Sequence, residues 1–226
     1  MRVCEPNQKA MEDVMGKWGV FREYQGWTLS EFGIEAPLDW SDGGFLLTGI
    51  QGCGKSCLAG AILHDRMQPS HPQTLARQEE KGYSTADGYV RAMVWTWAES
   101  AVAWYYALEL PRRIMDSWGR EREASAMREV LRHRVIVIDD LGSEKTTEHT
   151  IPIMREVVER CVNDGIDLIV TTNLSWADLA KKDARLASRL SRLSPIELPE
   201  RDMRVEAYRR KKKIQAKPCG FEKARG

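Results

Sequence analysis

Short continuous apolar runs recur along the chain, separated by longer stretches in which apolar residues are spaced three or four positions apart. GGFLLT at 43–48 is bounded by glycine, and RVIVIDD at 134–140 contains four consecutive β-branched residues. Runs of this length are typical of strands covered on both faces of a parallel sheet. Similar runs predict strands at 89–95, 167–173 and 194–199.

Helical periodicity fills the stretches between these runs. Residues 55–67 are predicted to form a helix directly after the first strand, and Trp104 and Leu108 recur at helical spacing within a helix predicted at about 98–109. Further helices are predicted at 124–131 and 151–162. Strands that alternate with helices of this length predict an α/β fold, with a five-stranded parallel sheet between helices.

The 226 residues suit one large domain with short extensions. We predict a short N-terminal extension at 1–40, with one or two short helices, a main domain at 41–207 and a basic tail at 208–226. Within the extension, PNQKAMEDVMGKWGVF at 6–21 is a candidate helix for binding a partner.

The net charge of +1 hides an uneven distribution. Residues 201–226 carry ten Lys or Arg against three acids, whereas the first 200 residues carry 24 bases and 30 acids. The run YRRKKK at 208–213 could bind nucleic-acid phosphates. A short basic run near a terminus is equally well explained as a solvated chain end, and both interpretations stay open.

Composition indicates a folded protein, with 42% hydrophobic and 30% charged residues. The longest apolar run, AVAWYYAL at 101–108, is too short to cross a bilayer, and the N-terminal residues lack the apolar core of a signal peptide. Five cysteines without a CxxC pair favour a reducing compartment and argue against a cysteine metal site. We therefore expect a cytoplasmic protein with no membrane contact.

The stretch GIQGCGKSC at 49–57 carries the strongest chemical signal. Its spacing matches GxxxxGK[ST], and it lies where that motif functions, between a buried strand and a helix. Backbone N–H groups of such a loop and the helix N-terminus bind phosphates; Lys55 is predicted to reach the β and γ phosphates of ATP, and Ser56 to bind Mg²⁺. The predicted nucleotide-binding residues are Gly49, Ile50, Gln51, Gly52, Cys53, Gly54, Lys55, Ser56 and Cys57.

Polar residues end the two strands that follow. Asp139 and Asp140 close the run at 134–140, and Asn173 closes the run at 167–173. Ligands bind at this edge of a parallel sheet. Asp139 is therefore predicted to hold Mg²⁺, Asp140 to orient or deprotonate the attacking water, and Asn173 to polarise that water or contact the γ phosphate.

Five segments together resemble the DnaC and IstB branch of the AAA+ ATPases, the bacterial and phage helicase loaders and their transposition relatives. GIQGCGKS, VIDDLGSEKTTE, IVTTNLSWADL, RLASRL and RDMR occur in the order and spacing of that branch, over about residues 40–207. The resemblance implies that Asp139 and Asp140 are the Walker B acids and that Asn173 is sensor 1. It also implies an arginine finger, Arg185 or Arg189, that acts on the ATP of a neighbouring subunit, and a sensor 2 residue, Arg204.

The function implied by this resemblance is ATP-dependent loading of a DnaB-like replicative helicase onto single-stranded DNA by a homo-oligomer that forms on ATP and DNA. A transposition ATPase that acts on duplex DNA is one alternative. Another is an ATP-binding protein that regulates a helicase without appreciable turnover.

Three departures from the family pattern bear on this choice. Asp140 stands where many AAA+ ATPases have Glu, the 40-residue extension leaves little room for a helicase-binding domain, and the polar loop at 67–87 is longer than usual. Aromatic residues between 95 and 118 are candidates for stacking on DNA bases. Burial is the interpretation we favour for most of them.

Overall fold

A computed structural model of the chain describes residues 15–66, 102–116, 120–143 and 150–203. Within these residues, five parallel strands form one sheet in the order β2-β3-β4-β1-β5. The predicted five-stranded parallel sheet is therefore confirmed. The strands are β1 (Gly44–Thr48), β2 (Val102–Tyr106), β3 (Val135–Leu141), β4 (Asp167–Thr172) and β5 (Ser194–Glu197).

Helices connect the strands, and those predicted after the first strand, before the third and before the fourth are confirmed. Two short helices between β4 and β5 begin at capping residues: Ser175 Oγ accepts from the N–H of Asp178, and a carboxylate oxygen of Asp183 accepts from the N–H of Leu186. The helices are α1 (Lys55–Arg66), α2 (Leu110–Met115), α3 (Arg120–Leu131), α4 (Thr150–Asp164), α5 (Trp176–Lys182) and α6 (Ala184–Leu190).

The helix predicted at 98–109 is wrong, because residues 102–106 form strand β2. This segment pairs with β3 through Trp104 and Val137, so Trp104 and Tyr105 are buried on opposite faces of the sheet. Leu108, expected on the buried face of a helix, lies in the following turn and is 39% exposed. The strand predicted at 89–95 lies outside the described residues.

Two apolar layers enclose the sheet. On one face, α1 and residues 15–40, which we call the leader, pack against β1 and the alternate residues Trp104, Val135 and Val137. On the other face, α2, α3, α4 and α6 cover the intervening residues of the same strands. This alternation brings Asp139, two residues after Val137, to the α1 side of the sheet.

The leader is part of the apolar core of the first face. Its Trp18 and Trp27 are buried, and the carbonyl of Trp18 accepts a hydrogen bond of 3.0 Å from the N–H of Trp104. Two 3-10 turns, Arg22–Tyr24 and Leu29–Phe32, carry the chain across α1.

Several predictions fall on residues that the structure does not describe. The N-terminal part of the candidate partner-binding helix at 6–21, the loop at 67–87 and the tail at 208–226 lie outside the described residues. Among the residues that are described, no helix combines the length and apolar character needed to cross a membrane.

Candidate functional site

The loop between β1 and α1 has a conformation that favours glycine. Gly52 and Gly54 have φ angles of 85° and 100°, which L-residues rarely adopt. A Cβ atom on Gly54 would lie 2.8 Å from Cγ of Met203, and the N–H of Met203 donates to the carbonyl of Gly52 at 2.9 Å. The chain after β5 therefore packs directly on this loop.

Lys55 is the central cation of the loop. The residue is 7% exposed, and its ammonium group donates to the carbonyls of Gly49 (2.9 Å) and Ile50 (2.8 Å) and to Oδ1 of Asn173 (2.5 Å). The Sγ atom of buried Cys53 lies 3.8 Å away. The three oxygen atoms that accept from Lys55 are neutral, so the ammonium charge is held ready for an anion.

A β-bulge brings both acids to the end of β3. Ile138 pairs with Val170 and Leu141 with Thr172, so Asp139 and Asp140 together lie opposite Thr171. The Thr171 hydroxyl donates to Oδ1 of Asp139 at 2.6 Å and accepts from the N–H of Asp140 at 2.8 Å. One side chain of β4 thus holds both residues of the bulge.

Asp139 has the oxygen neighbours expected of a Mg²⁺ ligand. It is 1% exposed, and its Oδ1 also accepts from Oγ of Ser56 at 2.9 Å. Burial raises the pKa of Asp139, hydrogen bonds from Thr171 and Ser56 act in the opposite direction, and the charge of Asp140 raises the pKa further. A divalent cation beside this carboxylate would favour its charged form.

Asn173 links the cation of the loop to the second acid. Its Oδ1 accepts from Lys55, and its Nδ2 donates to Oδ1 of Asp140 at 2.9 Å. Asp140 has a φ of 61°, in the left-handed region, where Asp is better tolerated than most residues. The three residues therefore form a continuous polar connection across the edge of the sheet.

These side chains line one cavity of about 410 Å³, a volume within the range of small-molecule sites. The predicted site residues on its wall are Gln51, Gly52, Gly54, Lys55, Ser56, Cys57, Asp139, Asp140 and Asn173. Gly49, Ile50 and Cys53 are not on the wall, but they contact the ammonium group of Lys55 as described above.

The cavity also includes residues that the sequence analysis did not assign to the site: Glu23, Tyr24, Tyr106, Thr171 and Met203. Thr171 could have been found, because it lies two residues before Asn173 at the end of the same predicted strand. The two leader residues have no local signal, since the packing of a distant segment brings them to the cavity. Burial and the charges of Asp139 and Glu23 raise the pKa of Tyr24 to about 12, while hydrogen bonding with Ser56 acts in the opposite direction.

The predicted arginines are not part of this cavity wall. Arg185 is exposed on α6, and Arg189 donates to Oε1 of Glu159 on α4 at 3.0 Å. This contact with Arg189 lowers the pKa of Glu159. Arg204 lies outside the described residues.

The donor set at the cavity fits Mg²⁺ bound together with phosphate. Mg²⁺ usually takes one or two carboxylates, a hydroxyl, phosphate oxygens and water, and Asp139 and Ser56 supply the first two kinds of oxygen. The described residues contain no group of three or more His, Cys, Asp or Glu side chains that could hold a metal ion by themselves. The site therefore suits a metal that arrives with an oxygen-rich ligand.

Comparison with known proteins gives similarity of fold at low sequence identity. No protein-family model and no curated protein matches the chain. A structure of the DnaC helicase loader aligns with a TM-score of 0.52 at 19% identity, covering 79% of this chain and 100% of that one. Domain III of the Thermotoga maritima replication initiation protein DnaA aligns with a TM-score of 0.53 at 16% identity, covering 87% of this chain and 76% of that one.

A structure of the replication initiator DnaA bound to AMPPCP and single-stranded DNA has a TM-score of 0.55 at 14% identity, covering 86% of this chain and 56% of that one. At such identities the comparisons show the fold. The sheet order, the loop at 49–54 and these similarities show that the chain has the α/β P-loop fold of AAA+ domains.

Proposed function

We propose that this chain binds ATP with Mg²⁺ and hydrolyses it. The observation that carries the proposal is the connection of Lys55, Asn173 and Asp140 at the wall of a cavity that also contains Ser56 and Asp139. A buried ammonium group with neutral partners favours an anion, and the adjacent hydroxyl and carboxylate oxygens favour a divalent cation.

Each residue then has a defined task. The loop at 49–54 and Lys55 bind the phosphates, while Ser56 and Asp139 hold Mg²⁺, whose chemistry is to neutralise charge on the transferred phosphoryl group. Asp140 is oriented by Asn173 and accepts a hydrogen bond from the attacking water. Asp is one methylene shorter than Glu, so we expect a low turnover number.

We further propose that ATP binding and hydrolysis serve the loading of a replicative helicase onto single-stranded DNA. Two observations support this proposal. The fold aligns with the whole of a structure named as the DnaC helicase loader, and the sequence contains the RLASRL and RDMR segments. The ATPase unit spans 41–207 in this proposal. Arg185 or Arg189 acts on the nucleotide of a neighbouring copy, and this role agrees with their position outside the cavity wall of their own chain.

The first experiment measures ATP affinity and steady-state hydrolysis for the wild type and for Lys55→Ala. Lys181→Ala is the matched control, because this lysine is 79% exposed on α5. Hydrogen bonds of a charged group are worth about 1.5–3 kcal/mol, so Lys55→Ala should weaken ATP binding about 10- to 150-fold while the control changes nothing. Equal affinities of Lys55→Ala and the wild type would refute the proposed site.

The second experiment compares hydrolysis without DNA, with single-stranded DNA and with duplex DNA. Stimulation by single strands is the expected result for a helicase loader. Preference for duplex DNA would contradict loading and support transposition. ATP binding without turnover under all three conditions would support a regulatory role in which ATP acts as a conformational ligand.

A further inference from the structure

We propose that Glu159 is a positioning residue for Arg189 and that it holds the guanidinium group ready for the nucleotide of a neighbouring copy. This inference rests on the proposed ATPase function, because Arg189 has that task only in an oligomer that hydrolyses ATP. It goes beyond that function, which gives Glu159 no role and leaves the choice between Arg185 and Arg189 open. Glu159 lies on α4 and belongs to none of the sequence motifs.

Two ion pairs of opposite polarity join α4 to α6. At the start of α6, Nη1 of Arg155 donates to Oδ2 of Asp183 at 3.0 Å, while Oδ1 of Asp183 caps the helix. One turn further along α4, Oε1 of Glu159 accepts from Nη2 of Arg189 at 3.0 Å. Sliding one helix along the other would bring like charges together, so the two pairs favour a single register.

The backbone of α6 is held by its apolar face. The buried residues of this face are Leu186, Ala187 and Leu190, and they belong to the layer that α4 also enters. Arg189 directly precedes the last of them, so its backbone cannot move without disturbing a close-packed core. The core therefore fixes the backbone of Arg189, and Glu159 fixes its side chain.

The ion pair leaves most of the guanidinium group available. This group has five N–H donors in a rigid fork. Its bond to Glu159 uses Nη2, and Arg189 makes no other side-chain hydrogen bond within the described part of the chain. The side chain is 35% exposed. The remaining donors can therefore bind phosphate oxygens while the carboxylate holds the group in place.

Arg185 lacks a comparable support. It lies one turn earlier on α6, is exposed, and makes no side-chain hydrogen bond with a described residue. A long side chain without a partner loses more conformational entropy when it binds. Pre-organisation thus favours Arg189 over Arg185 as the group that meets the phosphates.

The test measures hydrolysis at saturating ATP and at a protein concentration above which activity per chain no longer rises. Glu159→Ala removes the acceptor, whereas Glu159→Gln keeps an oxygen that can accept from Arg189. We expect Glu159→Ala to lower the turnover number about tenfold, with no measurable change in ATP affinity. Glu159→Gln should recover most of the activity.

Glu156→Ala is the matched control. Glu156 lies on the same helix and has a similar exposure, 49% against 41% for Glu159. It is also paired with an arginine, because its Oε1 accepts from Nη2 of Arg160 at 2.7 Å. Since this pair does not involve Arg189, the control should hydrolyse ATP as the wild type does.

Mixing experiments test whether Glu159 acts on the site of a neighbouring copy. Oligomers of Glu159→Ala and Lys55→Ala contain intact sites beside intact arginines, so the mixture should exceed the summed activities of the separate variants. A chain that carries both substitutions should bring no such gain when it is mixed with Glu159→Ala.

Four results would overturn the inference. If Glu159→Ala has the turnover number of the wild type while Arg189→Ala is inactive, the role of Glu159 is refuted and the ATPase proposal stands. The same holds if Arg185→Ala is inactive and Arg189→Ala is active. A loss of ATP affinity as large as the loss of turnover would make Glu159 a structural residue only. If the wild type does not hydrolyse ATP, both proposals fail.

Discussion

Gly60→Ala tests the position of the leader. The substitution improves helix propensity, which raises the free energy of unfolding, but it creates an overlap with the leader, which lowers it. Gly60 lies within α1, where alanine is the better residue by about 1 kcal/mol. A helix whose surface were open at this point would therefore be stabilised by the substitution. In the structure, however, the new Cβ atom would lie 2.1 Å from the carbonyl oxygen of Tyr24 and 3.1 Å from its carbonyl carbon.

This overlap cannot be relieved by rotating a side chain, because the atoms in contact are backbone. The leader must move by about 1 Å to restore an ordinary van der Waals separation, and the contacts around Tyr24 move with it. Overpacking of this kind costs about 1–3 kcal/mol. After subtracting the gain in helix propensity, we expect Gly60→Ala to lower the free energy of unfolding by about 0–2 kcal/mol.

The assay is urea denaturation of the full chain, with Gly16→Ala as the matched control. Gly16 belongs to the leader, and a Cβ atom there would meet only the end of the Gln25 side chain, at 3.7 Å. The control should be neutral or slightly stabilising. If Gly60→Ala instead stabilises the protein, the leader does not lie on α1.

Two further predictions concern residues of the proposed mechanism. Asp140→Asn should keep the left-handed backbone at this position, whereas Asp140→Ala should lower the free energy of unfolding by about 1 kcal/mol more. Both variants should abolish hydrolysis. Equal stabilities of the two variants would contradict the left-handed conformation of Asp140 in the bulge. Arg189→Ala should change stability by less than about 1 kcal/mol, because its ion pair with Glu159 is 35% and 41% exposed, yet it should abolish hydrolysis. Mixing it with Lys55→Ala should restore some activity, and absence of rescue at every mixing ratio would count against action on a neighbouring subunit.

The sheet edge could be predicted from sequence because its signals are local. The loop at 49–57 has a fixed spacing, and β1, β3 and β4 are apolar runs that end in polar residues. In a parallel sheet the carboxyl ends of strands meet at one edge, so Lys55, Asp139 and Asn173 had to lie close together. The hydrogen bonds that join Lys55 to Asn173 and Ser56 to Asp139 agree with that reasoning.

Strand β2 was mistaken for a helix because its sequence permits both periods. Trp104 and Leu108 fit a helical face, but Val-Ala-Trp-Tyr-Tyr is also rich in residues that suit strands. Pairing with β3 buries aromatic side chains on both faces of the sheet, and this tertiary gain decides the outcome. Periodicity in so short an apolar run could not distinguish the two structures.

The leader's share of the site was beyond prediction for a different reason. Glu23 and Tyr24 are about 30 residues from the loop at 49–57, and no spacing rule connects them to it. The bulge at Asp139 and Asp140 is also non-local, because it depends on Thr171 of the neighbouring strand. The motifs therefore predict which strands supply the site, but they do not predict the backbone conformation at the ends of those strands.

The charges of the cavity explain why the proposed reaction needs both a metal and a second subunit. Of the charged side chains that line it within the described part of the chain, three are carboxylates, on Glu23, Asp139 and Asp140, and one is the ammonium of Lys55. A triphosphate entering this surplus of negative charge is repelled unless Mg²⁺ enters with it. The two charges of the metal and the one charge of Lys55 together only balance the three carboxylates, so the negative charge of the phosphates is not neutralised by this wall. An arginine from a neighbouring copy would supply a further cation, so we expect hydrolysis per chain to rise with protein concentration until the oligomer is complete.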